Sequence, residues 1–448
     1  MVSSEVGALR GGASVQGVSA DEKKVLAATL VGTTIEWYDF FVYAQAAGLV
    51  FGPLFFGPMV QNNPLLAQIV SFATIGLSFL FRPLGAIFCG HMGDRIGRRA
   101  LFVLTLVLMG VATAVIGLLP TYAQIGPWAP ALLILMRILQ GFSAGGEWGG
   151  AALMAVEHAP VGKRSFFGSF PQIGTPIGMV LATGALWILT NWLGKPAMTE
   201  WGWRVPFLFS IVLIVIGAII RRSVEESPVF AEMVRRQKES AAPLRDLLRG
   251  HSREILRTAL IFMANNAAGY IFIAFMISYA LNTLKMPVDQ VLLVSTLGAV
   301  TWFIFTLTGG VLGDRWGRVR TFQVGYAIMV LWAVPMWFLI DSKNILLFFV
   351  AAAGLTLGLG LSYGPQAALY AELYPANVRY SGVSVGYALG AVFGGAFAPM
   401  IAQWIIGVYG SSWAIGVYIM ILSIISLAAV STIKDPKGVD LNAGGIVH

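Results

Sequence analysis

Long apolar stretches alternate with short polar breaks along the chain. The stretches fall at about 25–51, 65–90, 100–119, 129–155, 166–193, 205–220, 258–284, 291–312, 321–340, 345–370, 380–409 and 411–432. Most approach or exceed the ~20 apolar residues that carry a helix across a bilayer. Runs this long without period-two alternation predict helices rather than strands. Twelve membrane-spanning helices are therefore expected. The longest polar segment, 221–257, mixes both charge signs and reads as a connector with amphipathic helical parts lying on lipid headgroups. It divides the chain into a six-helix half at 25–220 and a second at 258–432, flanked by polar tails at 1–24 and 433–448.

The breaks repeat between the halves. HMGDRIGRR at 91–99 follows the second stretch and VLGDRWGRVR at 311–320 follows the eighth, and Gly93, Asp94, Arg95, Gly97 and Arg98 recur as Gly313, Asp314, Arg315, Gly317 and Arg318, each shifted by 220. AALMAVEHAPVGKR at 151–164 is echoed by AALYAELYPANVR at 367–379. Duplicated halves around a midplane site are the architecture of secondary transporters.

Composition agrees with a bilayer environment. The chain is 57% hydrophobic and 11% charged, against about a quarter charged in soluble domains. Lys and Arg occur 23 times in the tails and the connections on their side, and four times (Lys195, Arg204, Lys285, Lys343) on the other. The positive-inside rule then places both termini in the cytoplasm. This sorting, rather than the net charge of +8, is what the charges report, so the partners expected are the lipid bilayer and a small molecule, with no nucleic acid. Residues 1–20 are Gly/Ser-rich without an apolar core, so no cleavable signal is expected. The single cysteine, Cys89, excludes a disulfide framework and a cysteine metal cluster, and no cofactor is called for. A membrane enzyme would need a nucleophile beside a base; four histidines outside the apolar stretches and no GxSxG motif argue against one.

Ionisable groups inside the stretches carry the candidate chemistry, because each costs roughly 2.5–3.5 kcal/mol at a helix centre. In GTTIEWYDFFVY, 32–43, Gly32, Glu36, Asp39 and Tyr43 share one helical face. On the fourth helix Arg137, Gln140, Ala144 and Glu147 form a comparable stripe. Asp39 and Arg137 reach similar depth and can pair. An arginine drawn to a substrate anion would leave the carboxylate ready for a proton; a permanent pair that only fixes packing is the alternative. Proton coupling is thus assigned to Asp39, Glu36 and Arg137. Glu147 reaches a depth close to Arg82, which suggests a second pair. The second half carries no charge in its stretches, so its share of the site must be polar and aromatic. Asn265, Asn266, Tyr270, Trp302, Tyr363, Gln366 and Tyr387 are the candidates there, with Tyr38, Tyr43, Arg137, Glu147 and Gln172 from the first half. In the loops Asp94, Arg95, Arg98, Asp314, Arg315 and Arg318 can form charge clusters with Glu157, Arg164, Glu372 and Arg379.

At the GDRxGRR loop and its second copy the chain resembles the major facilitator superfamily over nearly its whole length. EWYDFF, FLFRPLG, RILQGFSAGGEWGGAALMAVE and WGWRVPFLFS resemble its metabolite:proton symporter family, bacterial shikimate transporters most closely; those for α-ketoglutarate, citrate and proline/betaine are more distant. The resemblance implies an all-α fold of two pseudo-symmetric six-helix halves in a bacterial inner membrane. It implies proton-coupled import of a small organic acid such as shikimate by a monomer, with a dicarboxylate or a zwitterion as alternatives, and the loop charges as the inner gate. In proton-linked sugar porters of the superfamily a first-helix aspartate and a fourth-helix arginine occupy matching positions, which favours Asp39 over Glu36.

Overall fold

The computed structural model describes residues 20–96, 98–145, 147–222, 249–375, 378–439 and 441. Of the connector, 223–248 lies outside the described residues, as do 1–19 and 442–448 of the tails, and the side chains at 89–103 are likewise not described. Among the described residues every element is helical.

Nine helices among the described residues are long and apolar enough to cross a membrane: α1 (Lys23–Val60), α2 (Pro64–Phe88), α4 (Trp128–Glu157), α5 (Val161–Gly194), α7 (Ser252–Thr283), α8 (Val288–Trp316), α10 (Ile345–Leu373), α11 (Arg379–Tyr409) and α12 (Trp413–Ser431). Two shorter apolar helices, α3 (Leu104–Leu118) and α6 (Arg204–Ile219), complete the first half. A broken helix, α9, completes the second; its parts, Arg318–Trp332 and Pro335–Asp341, meet at 50°. Proline opens the second part of α9, where its missing N–H interrupts the hydrogen-bond ladder. The twelve helices fall on the twelve apolar stretches. α7 starts at Ser252 rather than 258, because the polar turn before the apolar run is already helical.

Burial sorts the helices around the central axis. The apolar windows of α1 and α7 are 83% and 94% buried, whereas that of α12 is 39% buried. α1 and α7 therefore form the middle of the bundle, and their C-terminal portions share a departure from α geometry. α1 becomes π-helical over Ala47–Phe56, with Pro53 inside it, and α7 does so over Ile271–Phe275 and Tyr279–Thr283. Such wide turns free backbone groups and recur at functional sites.

Glycines set the closest approaches, as expected where helices associate in lipid. A Cβ on Gly141 of α4 would lie 1.9 Å from the Ser78 carbonyl of α2, and one on Gly145 2.1 Å from the Arg82 carbonyl. The halves meet through α5 against α8 and α2 against α11. At the first of these seams a Cβ on Gly310 or Gly313 would come within 3.0 Å of Ser169 or Ser165.

Gly141→Val is expected to destabilise the α2–α4 contact by about 1–3 kcal/mol or more, the usual cost of overpacking. Gly184→Val, where nothing lies within 4 Å, is expected to change little; unfolding midpoints of both variants in detergent make the comparison.

Candidate substrate and proton site

A small cavity lies between the halves. The first half supplies Trp37 and Thr175 to its wall. α7 supplies most of the rest, including Asn265, Asn266 and Tyr270, and is joined by Trp302 of α8 and Tyr363 of α10. Several wall atoms are buried without a hydrogen-bond partner: Nε1 of Trp37, Nε1 of Trp302, the Tyr270 hydroxyl and Oδ1 of Asn266. Neighbouring Asn265 instead donates through Nδ2 to the Leu359 carbonyl (3.0 Å) and to Ser362 Oγ (2.7 Å). One asparagine thus ties α7 to α10 while the next offers an acceptor to the cavity.

Two buried arginines stand behind the wall made by Trp37 and Tyr270. Arg82 of α2 lies over Phe40 (4.4 Å to the ring centroid), Phe79 (4.5 Å) and Trp37 (5.6 Å). Arg137 of α4 lies over Tyr43 at 3.9 Å and over Phe40 at 5.2 Å. The Phe79 ring in turn meets Tyr270 edge-on at 5.0 Å. Ring faces attract a desolvated cation by about 2 kcal/mol, so these rings compensate part of the burial. Nε and Nη2 of Arg82 and Nη2 of Arg137 nevertheless have no hydrogen-bond partner. Tyr43, expected at the substrate, acts as a platform: its ring carries Arg137 and its hydroxyl bonds Thr74 at 2.6 Å.

Asp39 does not pair directly with Arg137. Its Oδ1 accepts from Ser210 of α6 at 2.5 Å, with the Thr113 hydroxyl of α3 beside the carboxylate. Arg137 donates through Nη1 to Gln140 Oε1 (2.7 Å), and Gln140 Nε2 donates to Thr113 Oγ1 (2.7 Å). Matching depth brought the two charges to the same level of the first half, but the amide and the hydroxyl separate them. Tyr38 also departs from its expected role. Its hydroxyl donates to the Pro206 carbonyl at 2.7 Å and its ring meets Phe209 edge-on, so it packs α1 against α6, away from the cavity.

Glu36 is buried on the face of α1 that turns to the second half, and its charge is felt at Tyr270, Tyr363 and Tyr387. Gln172, Gln366 and Tyr387 join the halves beside the cavity and do not line it. Trp148 of α4 stacks on Tyr387 of α11 at 3.8 Å, and Tyr387 stacks on Phe262 at 4.3 Å. Trp148 Nε1 donates to Gln172 Oε1 (2.8 Å); Gln172 Nε2 reaches the Tyr363 carbonyl (3.2 Å) and Gln366 Oε1 (3.3 Å). Glu147 opens the lower part of α4 and is buried with Trp148.

A charge cluster closes the end of the bundle that carries the C-terminal segment. Asp314 accepts from the backbone N–H groups of Ser165 (2.9 Å) and Phe166 (2.8 Å) at the start of the regular α5 helix, where unsatisfied donors and the helix dipole favour an anion. Glu372 accepts from Arg318 through both oxygens at 3.0 Å and from Arg164 at 3.2 Å, and Arg379 stands 3.7 Å from Glu157. Arg164 and Arg379 also donate to the backbone carbonyls of Val439 (2.5 Å) and Leu441 (2.8 Å). Arg315, in the last turn of α8, is exposed and stands outside this cluster. The side chains of Asp94, Arg95 and Arg98 lie outside the described residues.

Comparison with known proteins decides the family. The pattern of the Major Facilitator Superfamily matches residues 40–392. The chain belongs to that superfamily. It is 40% identical to an inner membrane metabolite transport protein of Escherichia coli, over 91% of this chain and 93% of the relative. It is 35% identical to the shikimate transporter of Escherichia coli (91% and 94% covered) and 31% identical to the proline/betaine transporter of Salmonella typhimurium (92% and 83% covered). Among solved structures a D-xylose-proton symporter shares the fold, with a TM-score of 0.71 at 17% identity, covering 94% of this chain and 99% of the other. This superfamily member is therefore a multi-pass membrane transporter of small metabolites and not an enzyme.

Sequence reasoning missed Trp37, Thr113, Thr175, Ser210 and Phe262. Trp37 sits inside the charged motif, and its neighbours drew attention from it. The hydroxyl residues carry no sequence signal of their own; they matter because helix packing puts them beside Asp39 or the cavity.

Tyr38→Phe is expected to leave the substrate KM of the transporter unchanged and to cost about 1 kcal/mol of stability, the worth of one hydrogen bond. Trp302→Phe, which removes an unpartnered donor from the cavity wall, is expected to raise KM severalfold. Uptake kinetics together with unfolding midpoints separate the two effects.

Proposed function

We propose that the protein is a proton-coupled symporter that imports a small organic carboxylate, best matched by shikimate or a related cyclic hydroxy acid. The observation that carries this reading is the set of unpartnered guanidinium nitrogens on Arg82 and Arg137 beside a small cavity. Buried cationic donors without partners are costly, and a carboxylate would satisfy them bidentately. The free Trp37 and Trp302 N–H groups, the Tyr270 hydroxyl and Asn266 Oδ1 then suit a ring bearing several hydroxyls. Likeness to the shikimate transporter supports the same class.

In this reading Asp39 carries the proton, and Glu36, facing the tyrosines of the second half, is a further titratable group at the site. Arg137, with Arg82, anchors the anion. The two halves rock around the cavity. The cluster of Asp314, Arg318, Glu372, Arg164, Arg379 and Glu157 latches the cytoplasmic end while the outer path is open. The protein works as a monomer in a bacterial inner membrane with both termini in the cytoplasm.

A second reading, a zwitterion such as proline or betaine, is favoured by one observation. Five rings, Trp37, Phe262, Tyr270, Trp302 and Tyr363, wall the cavity, and ring faces bind quaternary ammonium groups. Thermal shift of the purified protein with shikimate, α-ketoglutarate, citrate, proline and glycine betaine, followed by proteoliposome uptake under an imposed pH gradient, decides between them. A ligand at 100 times its Kd stabilises by about 2.7 kcal/mol, which such a scan resolves.

Asp39→Asn is expected to retain substrate exchange and lose accumulation driven by the pH gradient; full accumulation by this variant would remove Asp39 from the mechanism. Arg137→Ala is expected to abolish carboxylate uptake, and a merely twofold loss would show that the anion is anchored elsewhere.

A further inference from the structure

Between Arg137 and Asp39 the structure places two neutral side chains in series. Gln140 Oε1 accepts from Arg137 Nη1 at 2.7 Å, and Gln140 Nε2 donates to Thr113 Oγ1 at 2.7 Å. The Thr113 hydroxyl donates to the Met109 carbonyl (3.0 Å) and lies beside the Asp39 carboxylate, which also accepts from Ser210. Thr113, Gln140 and Arg137 are fully buried, and Asp39 is 1% exposed. The charged and titratable groups in electrostatic contact with Asp39 are Glu36 and Tyr38, both on α1; α3 and α6 face it with the hydroxyls of Thr113 and Ser210.

The polarity of this chain is fixed at one end. Arg137 is an obligate donor, so Gln140 must present its carbonyl to Arg137 and its N–H to Thr113. Thr113 Oγ1, having accepted from Gln140, keeps one proton to give, and two acceptors compete for it: the Met109 carbonyl and Asp39. Removing Arg137 Nη1 from Gln140 frees the amide to turn, and with it the constraint on the hydroxyl.

We propose that Gln140 and Thr113 are positioning residues that couple the occupancy of Arg137 to the protonation of Asp39 through this hydrogen-bond relay, without direct contact between the two charges. The inference rests on the reading of Arg137 as anion anchor and Asp39 as proton carrier. An anion that draws Arg137 toward the cavity withdraws a donor from Gln140; the amide reorients, and the Thr113 hydroxyl changes between Met109 and Asp39. Substrate binding is thereby sensed at the proton site on three helices, α1, α3 and α4.

The test uses full-length protein in proteoliposomes, with radiolabelled shikimate as probe, and measures accumulation under a pH gradient against exchange without one. Gln140→Leu and Thr113→Val are expected to lower the ratio of accumulation to exchange at least tenfold, and Thr113→Ser, which keeps the hydroxyl, to restore it. An unchanged ratio in Thr113→Val, a near-isosteric change that preserves packing, overturns the relay even where Asp39→Asn loses accumulation. Full accumulation by Asp39→Asn instead overturns the underlying reading of the proton site.

A second arm needs no transport and covers the case of a different substrate. The Asp39 carboxyl band, identified by its absence in Asp39→Asn, is titrated by infrared difference spectroscopy in wild type and Thr113→Val. A shift of the midpoint by about one pH unit or more is expected, and coincident midpoints overturn the proposal.

Discussion

Two guanidinium groups buried in the first half, held by ring faces, by the Gln140 amide and by the Thr74 carbonyl, are the constraint around which the centre of this protein is arranged. A cation cannot sit unsolvated in the membrane interior without something to offset the cost. Here Phe40, Phe79, Trp37 and Tyr43 supply π faces, and Gln140 supplies one carbonyl. The aromatic density of EWYDFF follows from that need. The motif has to surround cations as well as carry carboxylates, and its alternation of acids with rings allows both on neighbouring faces of one helix.

The halves repeat in sequence but divide the chemistry unequally. The first half contributes the ionisable groups near the cavity, Glu36, Asp39, Arg82 and Arg137; α7, α8 and α10 of the second contribute amides, hydroxyls and rings to its wall. Placing charge on one side lets the other move past it without breaking an ion pair across the interface. The strong electrostatic contacts between the halves are concentrated at the end where Asp314 meets the start of α5 and Glu372 meets Arg164.

The fold was legible because membrane helices announce themselves by length: a run of twenty apolar residues leaves few alternatives. The duplication was legible because the loops at 91–99 and 311–320 share residues at a fixed offset. The site was legible only where charge marks it. Glu36, Asp39, Arg82 and Arg137 stand out in an apolar stretch. Tyr38 was misplaced because helical spacing gives a face but not the identity of the neighbouring helix, and α6 turned out to occupy that side. The separation of Asp39 from Arg137 was hidden for a related reason. Depth along a helix can be counted in residues, whereas distance across the bundle depends on which small side chains intervene, and Gln140 and Thr113 look like ordinary packing residues in sequence.

The segment at 433–439 crosses the end closed by the charge cluster, and it and Leu441 are held by Arg164 of one half and Arg379 of the other, which donate to the backbone carbonyls of Val439 and Leu441. A contact made to main-chain oxygen does not depend on which side chain the residue bears. Those positions can therefore drift in sequence at little cost to the contact, while insertion or deletion of a single residue would move both acceptors out of register. Length, not composition, is what selection can hold constant in that part of the chain.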